Sequence, residues 1–198
     1  YPGINFSQFD GAEMIAKNYG LSKDVLDEFG YHSHRKAREA TESGAFDGEI
    51  VPVEITDADG NKAMHTVDEG IRFNASLEAM KGVKLINAED GRLTAATSSQ
   101  ITDGASGVMV VNEKGLKALG VKPLARVHHM TVIGADPVIM LEAPIPATLR
   151  ALDRAGMKIG DIDLYEVNEA FASVPLAWLQ ATGADPERLN VNGGAIAL

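Results

Sequence analysis

Residues 145–182 read IPATLRALDRAGMKIGDIDLYEVNEAFASVPLAWLQAT, and helix and strand patterns alternate along them. The helical spacing of apolar residues over 145–155 predicts a helix that stops at Gly156. The apolar run 162–167 predicts a strand, and residues 168–182 predict a second helix. Alternation of strands and helices is typical of an α/β sheet, so we expect an α/β protein.

The rest of the chain carries weaker signals of the same kind. Asp10 is a candidate N-cap for a first helix over 12–17, and Ser22 is one for a second helix that runs to residues 43–44. A turn at 57–61 separates the two strands of a predicted hairpin. The remaining predicted elements are strands at 50–55, 63–67, 83–86, 104–111 and 125–133, and helices at 77–80 and 113–119, the latter ended by Gly120.

Composition narrows the class of protein. Of the 198 residues, 45% are hydrophobic and 23% are charged. These values lie near the average for soluble globular proteins, so we expect a packed core. The formal net charge of -10 argues against nucleic acid or an anionic membrane as a partner. It leaves room for a phosphate-bearing small ligand that binds a local cluster of Lys and Arg.

The sequence contains no cysteine. Disulfides, thiolate metal sites and a cysteine nucleophile are therefore excluded within these residues. There is neither a run of about 18 apolar residues nor a secretory signal, so we expect a cytoplasmic protein. The first residue is Tyr1 and not Met, so a targeting signal could precede it. The five histidines show no metal-binding spacing, and we predict no metal.

The most informative polar segment is Glu166-Val167-Asn168-Glu169-Ala170-Phe171-Ala172. It lies where the predicted strand gives way to the predicted helix, and polar residues at the carboxyl end of a strand commonly face the ligand crevice. Asn168 is either the N-cap of the helix or a ligand-facing amide, and spacing alone favours the cap. Glu169 is expected in the positive field of the helix N-terminus.

Two further segments are rich in small polar residues. Residues 97–105 read TSSQITDGA, and residues 190–195 read NVNGGA. Such loops offer hydroxyl and backbone N–H groups to ligands, although most are simply turns. Paired glycines permit close backbone approach or positive φ. Neither segment matches a P-loop or a dinucleotide-binding pattern, so spacing alone supports only an acidic α/β protein with polar loops at strand ends.

Taken together, these segments resemble the thiolase family. Asn168-Glu169-Ala170-Phe171-Ala172 is similar to the Asn-Glu-Ala-Phe-Ala motif of that family. Residues 190–197 resemble the segment that runs into its Gly-His-Pro motif. Further matches in order and spacing are Ser99 with 103–105, and the segments 134–137, 143–147 and 155–164. The resemblance covers essentially the whole chain, and several ordered motifs make it far more specific than any one of them.

The resemblance implies an α/β fold of the thiolase-like layered αβαβα type, incomplete in this chain, with a mostly helical inserted loop domain. Residues 1–94 are then expected to form most of the loop domain. Residues 95–122 would end the N-terminal thiolase domain, and residues 123–198 would form the first half of the C-terminal domain. Thiolases usually assemble as homodimers or homotetramers, so the resemblance also implies a homo-oligomer.

The resemblance further implies an acyltransferase of fatty acid metabolism that moves acyl groups reversibly between coenzyme A thioesters. These thioesters are substrates, and no covalently bound cofactor is expected. In thiolases a cysteine thiolate attacks the thioester, assisted by a histidine and a second cysteine. Asn168 matches the asparagine that holds a catalytic water in the oxyanion hole, where negative charge collects on the carbonyl oxygen.

Five other positions match the coenzyme A-facing residues of the family. Arg72 corresponds to a position that packs on adenine, where a planar guanidinium suits stacking. Ser99 corresponds to a serine that meets pantetheine. Ala95 and Met140 correspond to tunnel-lining positions, and Phe171 corresponds to a pocket-lining one. The resemblance therefore predicts a coenzyme A site built from several separate segments of the chain.

Three catalytic pieces of the family pattern fall outside these residues. The resemblance puts the nucleophilic cysteine before Tyr1, the histidine of Gly-His-Pro at the second residue after Leu198, and the second cysteine further downstream. We interpret the chain as an internal fragment that is inactive alone. Two alternatives stay open: a non-catalytic thiolase-like protein that binds acyl-CoA or lipid, and a generic α/β domain without affinity for coenzyme A.

One departure from the family bears on the substrate. Residues 7–9 read SQF, where short-chain biosynthetic thiolases tend to carry a His-Met pair beside the thioester. This difference favours a degradative thiolase that accepts longer or bulkier 3-oxoacyl groups.

Overall fold

A computed structural model describes residues 1–87 and 90–198 of the chain. Within these residues the α-helices are α1 Gln8–Asn18, α2 Lys23–Glu42, α3 Leu77–Lys81, α4 Glu113–Leu119, α5 Pro144–Ala155 and α6 Ser173–Thr182. The strands β1 Val53–Thr56 and β2 Lys62–His65 form an antiparallel hairpin. Short 3-10 helices cover Ala95–Thr97, Ile159–Asp161 and Pro186–Arg188.

Serine caps fix the start of the first two helices. Ser7 Oγ accepts a hydrogen bond from the Asp10 N–H at 3.3 Å, and Ser22 Oγ accepts one from the Val25 N–H at 3.4 Å. The cap predicted at Ser22 is confirmed. The cap predicted at Asp10 is wrong, because α1 begins at Gln8 and Asp10 lies in its first turn. The negative charge of the Asp10 carboxylate stabilises α1 there, because the N-terminus of a helix carries a partial positive charge.

Helices α1, α2 and α6 contribute to one apolar core. Side chains from the helices and from the connecting segments are almost completely buried there, among them Ile15, Leu26, Leu93, Leu189 and Ile196. Full burial of one such side chain stabilises the fold by about 1.5–3 kcal/mol. The core therefore binds the segments after residue 90 and residue 188 to the first two helices.

Polar contacts hold α1 against this core. Ser173 Oγ in α6 donates to the Ala12 carbonyl at 3.0 Å. The Glu13 carboxylate, which is 5% exposed, accepts the backbone N–H groups of Arg92 and Leu93 at 2.9–3.0 Å. These bonds tie both α6 and the segment before the first 3-10 helix to α1.

The predicted hairpin is present with shifted ends. Its strands cover 53–56 and 62–65, whereas the sequence predicts 50–55 and 63–67. Asp57 Oδ1 accepts the Asn61 N–H at 2.8 Å and closes the turn. The turn and the backbone pairing determine where the two strands begin and end, and the apolar pattern alone does not reveal these positions.

Four other predicted strands are wrong, because residues 83–86, 104–111, 125–133 and 162–167 form no ladder in the described chain. Leu85 makes only an isolated antiparallel bridge with Thr94, and Tyr165 makes a parallel one with Leu189. A strand needs a neighbour for its backbone N–H and C=O groups. These apolar runs have no such neighbour over their length within residues 1–87 and 90–198.

Helices are predicted more closely than strands. Helix α4 covers the predicted 113–119, and Gly120 ends it with φ of 63°. Helix α5 differs from its predicted range of 145–155 by one residue. The helix predicted from Asn168 begins only at Ser173, because residues 170–172 pair with another segment before the helix starts.

Candidate functional site

Four loop segments meet beside α2, and we call them the loop cluster: residues 70–72, 97–100, 168–172 and 193–198. Hydrogen bonds of 2.6–3.2 Å join each segment to another segment or to α2. Three of the four overlap the polar segments singled out in the sequence. The fold thus brings together residues that are far apart along the chain.

Residues 97–99 and 170–172 pair as two short antiparallel segments. The Ala172 N–H donates to the Thr97 carbonyl at 2.9 Å, and the Ser99 N–H donates to the Ala170 carbonyl at 3.0 Å. Ser98 and Phe171 therefore lie opposite each other, and opposed residues of such a pair are about 5 Å apart. Ser99 and Phe171 are neighbours in space, and Asn168 lies only two residues before Ala170.

Gln100 connects this pair of segments to the other two. Its side-chain Nε2 donates to the Gly70 carbonyl at 2.7 Å and to the Ile196 carbonyl at 3.0 Å. A Cβ added at Gly70 would lie 2.7 Å from the Ala197 carbonyl oxygen, so the close approach of these backbones requires glycine. Arg72, two residues after Gly70, belongs to the same cluster for this reason.

His34 of α2 anchors the backbone of Arg72. The imidazole is 5% exposed, and its Nδ1 accepts the Arg72 N–H at 3.2 Å. Burial, with a smaller contribution from the Arg72 charge, lowers the pKa of His34 to about 4. The imidazole is therefore neutral near pH 7, as its role as an acceptor requires. The Arg72 side chain itself is exposed.

Glu169 is the buried centre of the cluster, with 1% of its surface exposed. Its carboxylate accepts the Ser33 hydroxyl at 2.6 Å, the Asn190 Nδ2 at 2.8 Å and the Ile196 N–H at 3.2 Å. Within residues 1–87 and 90–198 no Lys or Arg forms an ion pair with it. Burial of a carboxylate is costly unless hydrogen bonds compensate, and three donors do so here. The predicted position at a helix N-terminus is wrong, because α6 begins only at Ser173.

The glycine pair lets the chain pass this carboxylate. Gly193 has φ of 87°, and a Cβ there would lie 2.8 Å from the Ser33 carbonyl oxygen. A Cβ at Gly194 would overlap the Glu169 carboxylate. Asn190, with φ of 44°, begins this passage. A larger residue at Gly193 would therefore push the segment away from α2, and one at Gly194 would push it away from Glu169.

Asn168 is exposed, although both of its neighbours in the sequence, Val167 and Glu169, are buried. The N-cap position of α6 is Ala172, which makes no side-chain cap hydrogen bond. The helix-cap interpretation of Asn168 is therefore wrong. Its amide is left at the surface of a firmly held segment, and an amide offers both donors and an acceptor to a ligand.

Phe171 supplies an apolar wall to the cluster. It is 3% exposed, and its ring meets that of Phe9 edge to face, with 5.4 Å between centroids and 73° between planes. Phe9 is 42% exposed. The segment 7–9, which departs from the short-chain family pattern, therefore reaches the same part of the molecule as Asn168.

Ala95 adjoins the cluster through its own 3-10 helix. It is exposed at the first position of Ala95–Thr97. The next carbonyl, that of Ala96, comes so close to α2 that a Cβ at Gly30 would lie 2.7 Å away. Thr97 then begins the pairing with residues 170–172.

Met140 is held by α1 and not by the cluster. A Cβ at Gly11 of α1 would lie 2.7 Å from the Ile139 carbonyl oxygen, so this segment runs directly over the helix. Met140 is half-buried with φ of 38°. Among the described residues no hydrogen bond joins it to the loop cluster. Of the six predicted positions, the structure therefore gathers Arg72, Ser99, Asn168 and Phe171, sets Ala95 beside them and leaves Met140 apart.

A separate pocket of about 240 Å³ lies between α5 and α6, lined partly by Thr148, Tyr165, Glu166 and Trp178. Burial, and secondly the Glu169 charge, raise the pKa of Glu166. None of the residues that line the pocket belongs to the loop cluster, so we do not count it as part of the candidate site.

Metal and membrane signals are also absent from the described residues. Over 1–87 and 90–198, His, Asp and Glu side chains form no group of three or more that could hold a metal ion. In the same ranges no helix combines the length and the apolar character needed to cross a membrane.

Sequence reasoning missed Ser33, His34 and Gln100. Ser33 and His34 occupy the buried face of α2, together with Leu26 and others, at helical spacing. Polar residues on such a face must find buried partners, which is the signal that could have pointed to them. Gln100 lies in the polar loop 97–105 that the sequence singled out, but no local pattern shows that its amide reaches other segments.

Comparison with known families gives two matches along the chain. The model described as "Thiolase, N-terminal domain" matches residues 10–114, and that described as "Thiolase, C-terminal domain" matches residues 121–198.

Among curated proteins, the chain is similar to a steroid 3-ketoacyl-CoA thiolase of Mycobacterium tuberculosis, with 47% identity over 198 residues, which are 100% of this chain and 47% of the relative. It is also similar to a 3-ketoacyl-CoA thiolase of Marinobacter nauticus, with 46% identity over 191 residues, which are 94% and 49% of the two chains. The chain thus spans about half the length of the curated relatives it matches.

Solved structures show the same likeness. An acetyl-CoA acetyltransferase of Bacillus anthracis superposes with a TM-score of 0.92 and 34% identity, over 100% of this chain and 50% of that one. A human mitochondrial 3-ketoacyl-CoA thiolase in complex with CoA superposes with a TM-score of 0.89 and 36% identity, over 96% and 47%. The predicted thiolase-like α/β fold class is confirmed.

Proposed function

The chain belongs to the thiolase family, and we propose that the protein carrying it transfers acyl groups reversibly between coenzyme A thioesters, by 3-ketoacyl-CoA thiolysis or by acetoacetyl-CoA formation. The observation that carries this proposal is the antiparallel pairing of 97–99 with 170–172, with Ser99, Phe171 and Asn168 in close proximity. The names of the similar curated proteins support the same reaction.

In this proposal Asn168 holds the water that donates to the oxyanion. Negative charge collects on a carbonyl oxygen in each acyl transfer, and one well-placed donor lowers the barrier by roughly 3 kcal/mol. Donors help most when they are positioned before the reaction begins. The exposed amide of Asn168, next to the buried and triply hydrogen-bonded Glu169, suits that role.

The coenzyme A contacts come from several segments. We assign Arg72 to the adenine end, where an exposed guanidinium can stack, and Ser99 to pantetheine. By the family pattern we also assign Ala95 and Met140 to the tunnel and Phe171 to a pocket wall. The human mitochondrial relative is described in complex with CoA, which supports coenzyme A as the ligand class.

The nucleophile of this reaction comes from outside these residues. The chain has no cysteine, and a thiolase reaction requires a thiolate. The 198-residue chain therefore contributes Asn168 and the coenzyme A-facing loops, and we expect no thiolase activity from it alone.

We propose a division of the chain into three parts by analogy with the thiolase family. Residues 1–94 form a partial loop domain, residues 95–122 end the N-terminal thiolase domain, and residues 123–198 form the first half of the C-terminal domain. The change from the N-terminal to the C-terminal family match between residues 114 and 121 supports this assignment.

The acyl group is proposed to be long or bulky and the direction degradative. Phe9 packs on Phe171, so an aromatic ring stands where short-chain family members tend to carry His-Met. One similar protein is named for a steroid 3-ketoacyl-CoA substrate, which supports a bulky acyl group. We also propose a cytoplasmic location and a homodimer or homotetramer, by analogy with the family.

The second candidate is a non-catalytic thiolase-like protein that binds acyl-CoA or lipid. The absence of cysteine from these 198 residues is the observation that favours it. The two candidates differ in one measurable property, since only the first predicts turnover by the full gene product. Thiolysis of acetoacetyl-CoA and of a long-chain 3-ketoacyl-CoA by the purified gene product therefore decides between them, and the 198-residue chain serves as the inactive comparison.

Coenzyme A binding tests the ligand assignment separately from turnover. Calorimetric titration of the gene product with coenzyme A should show binding that weakens at least tenfold in an Arg72→Ala, Ser99→Ala double variant, since each loses a contact of about 1 kcal/mol or more. The matched control is an Arg126→Ala, Ser43→Ala variant, which lies outside the loop cluster. Equal affinity of both variants would remove the assignment of these two residues.

A further inference from the structure

Glu169 joins three parts of the molecule at one buried carboxylate. The Ser33 hydroxyl comes from α2, the Asn190 amide from the segment after α6, and the Ile196 N–H from the glycine-rich segment. The residue before it is the exposed Asn168. The position of the Asn168 amide relative to residues 193–198 is therefore set through the carboxylate of its neighbour.

The three donors cannot rearrange easily. Asn190 Oδ1 accepts the Val167 N–H at 2.9 Å while its Nδ2 donates to the Val167 carbonyl at 2.9 Å, so the amide cannot flip without losing both bonds. Ser33 Oγ also accepts the Gly194 N–H at 3.2 Å. A Cβ at Gly194 would overlap the carboxylate, which shows how closely the backbone is packed on it. Only an acceptor with two oxygens satisfies all three donors here.

We propose that Glu169 is a positioning residue for acyl transfer, whose carboxylate fixes the Asn168 amide relative to the backbone of residues 193–198. This inference rests on the proposed function, because the position of Asn168 affects the rate only if its amide holds the water that contacts the reacting groups. A displacement of about 1 Å at a catalytic group can cost roughly a hundredfold in rate. Loss of one bond at Glu169 permits a displacement of that kind.

Glu13 provides a matched control within the same chain. It is also a buried carboxylate, 5% exposed, and it is also satisfied by hydrogen bonds: the Arg92 N–H is shared between its two oxygens, and the Leu93 N–H donates to one of them. Glu13 itself lies on α1, and its partners lie in the segment before the first 3-10 helix, outside the loop cluster. Any effect of removing a buried carboxylate as such will therefore appear at Glu13 as well.

The variant Glu169→Gln preserves shape and removes one acceptor. Whichever way the new amide lies, its NH₂ group faces a donor: the Asn190 Nδ2 on one side, or the Ile196 N–H on the other. One hydrogen bond must therefore be lost. In the purified gene product we expect kcat for acetoacetyl-CoA thiolysis to fall roughly 10- to 100-fold, with KM for coenzyme A unchanged within about twofold. Glu13→Gln should change kcat by less than about twofold at a similar loss of thermal stability.

A double-mutant cycle separates positioning from a general loss of structure. If Glu169 acts through Asn168, the Asn168→Ala, Glu169→Gln double variant will have the same kcat as Asn168→Ala alone. The proposal would be overturned if the double variant lost kcat by the product of the two single-variant factors. It would also be overturned if Glu13→Gln lowered kcat as much as Glu169→Gln.

Inactivity of the unmodified gene product would refute the proposed function and would leave the positioning claim to a structural comparison. Crystal structures of Glu169→Gln and Glu13→Gln should then show the Asn168 amide displaced relative to Ile196 in the first variant only. An unmoved Asn168 in Glu169→Gln would overturn the inference whatever the activity.

Discussion

The loop cluster and the extended segment, which we define as residues 101–136 with α4 inside it, both contain apolar residues, yet these residues differ in how deeply they are buried. In the cluster Phe171 is 3% exposed and Ile196 is 1% exposed. In the extended segment Val108 is 89% exposed and Leu124 is fully exposed at 106%. The contrast shows that an apolar pattern indicates which residues are suited to burial. Whether they are buried depends on a partner surface that covers them.

Backbone hydrogen bonds explain the difference. Each segment of the cluster donates or accepts bonds with another segment or with α2. Outside α4, residues 101–111 and 121–135 make no backbone hydrogen bond to another part of the described chain. Unpaired backbone groups remain satisfied only in contact with water, so these runs stay extended and exposed together with their apolar side chains.

The largest expected contrast comes from truncation of one leucine in each region. Leu189 is 2% exposed, so Leu189→Ala should lower the free energy of unfolding by about 2–5 kcal/mol through lost burial and a residual cavity. Leu124→Ala should change it by no more than about 0.5 kcal/mol. Urea unfolding followed by circular dichroism measures both, and equal effects would contradict the contrast.

A smaller contrast is expected for added methyl groups. Gly194→Ala puts a Cβ into the Glu169 carboxylate and should destabilise the fold by about 1–3 kcal/mol. Gly104→Ala in the extended segment has open space around its Cβ and should be neutral or slightly stabilising. Thermal unfolding of the two variants checks this pair, and a neutral Gly194→Ala would show that the backbone can move away from the carboxylate.

The last contrast in stability is the pH dependence carried by His34. Because its pKa falls from 6.5 to about 4 on folding, the unfolded chain binds more protons between these values, and stability decreases as the pH falls through that window. Between pH 7 and pH 5 the loss should be roughly 2 kcal/mol. His34→Asn, which keeps an acceptor but does not titrate, should remove this loss.

His128→Asn, in the exposed segment, is the control for that measurement. Unfolding free energies at pH 7 and pH 5 should differ between the wild-type chain and this control by less than about 0.5 kcal/mol. A similar pH dependence for wild type and His34→Asn would show that His34 is not held as the neutral acceptor of the Arg72 N–H.

Sequence patterns indicated the α/β class and most helices because caps, glycine stops and apolar spacing are local. Helix α4 and its end at Gly120 follow directly from such signals. The predicted strands 104–111 and 125–133 were wrong because a strand depends on a neighbour that no local pattern reveals. The cap assignment of Asn168 failed for a related reason, since the pairing of 170–172 with 97–99 delays the start of α6.

The candidate site was predicted in part. Motif resemblance picked out Asn168, Ser99, Phe171 and Arg72, and the fold gathers these four residues in the loop cluster. Their roles in binding and catalysis stay predictions. The supporting residues Ser33, His34 and Gln100 could not be found from spacing, because each acts through a hydrogen bond to a segment at least 30 residues away.

The most direct test of the central claim is the rate of acetoacetyl-CoA thiolysis by the purified gene product and its Asn168→Ala variant. We expect activity in the unmodified protein and a loss of roughly 10²- to 10³-fold in kcat for Asn168→Ala. The control Asn74→Ala, at another exposed asparagine, should keep its activity within about twofold. An inactive gene product, or an Asn168→Ala variant as active as Asn74→Ala, would contradict the account.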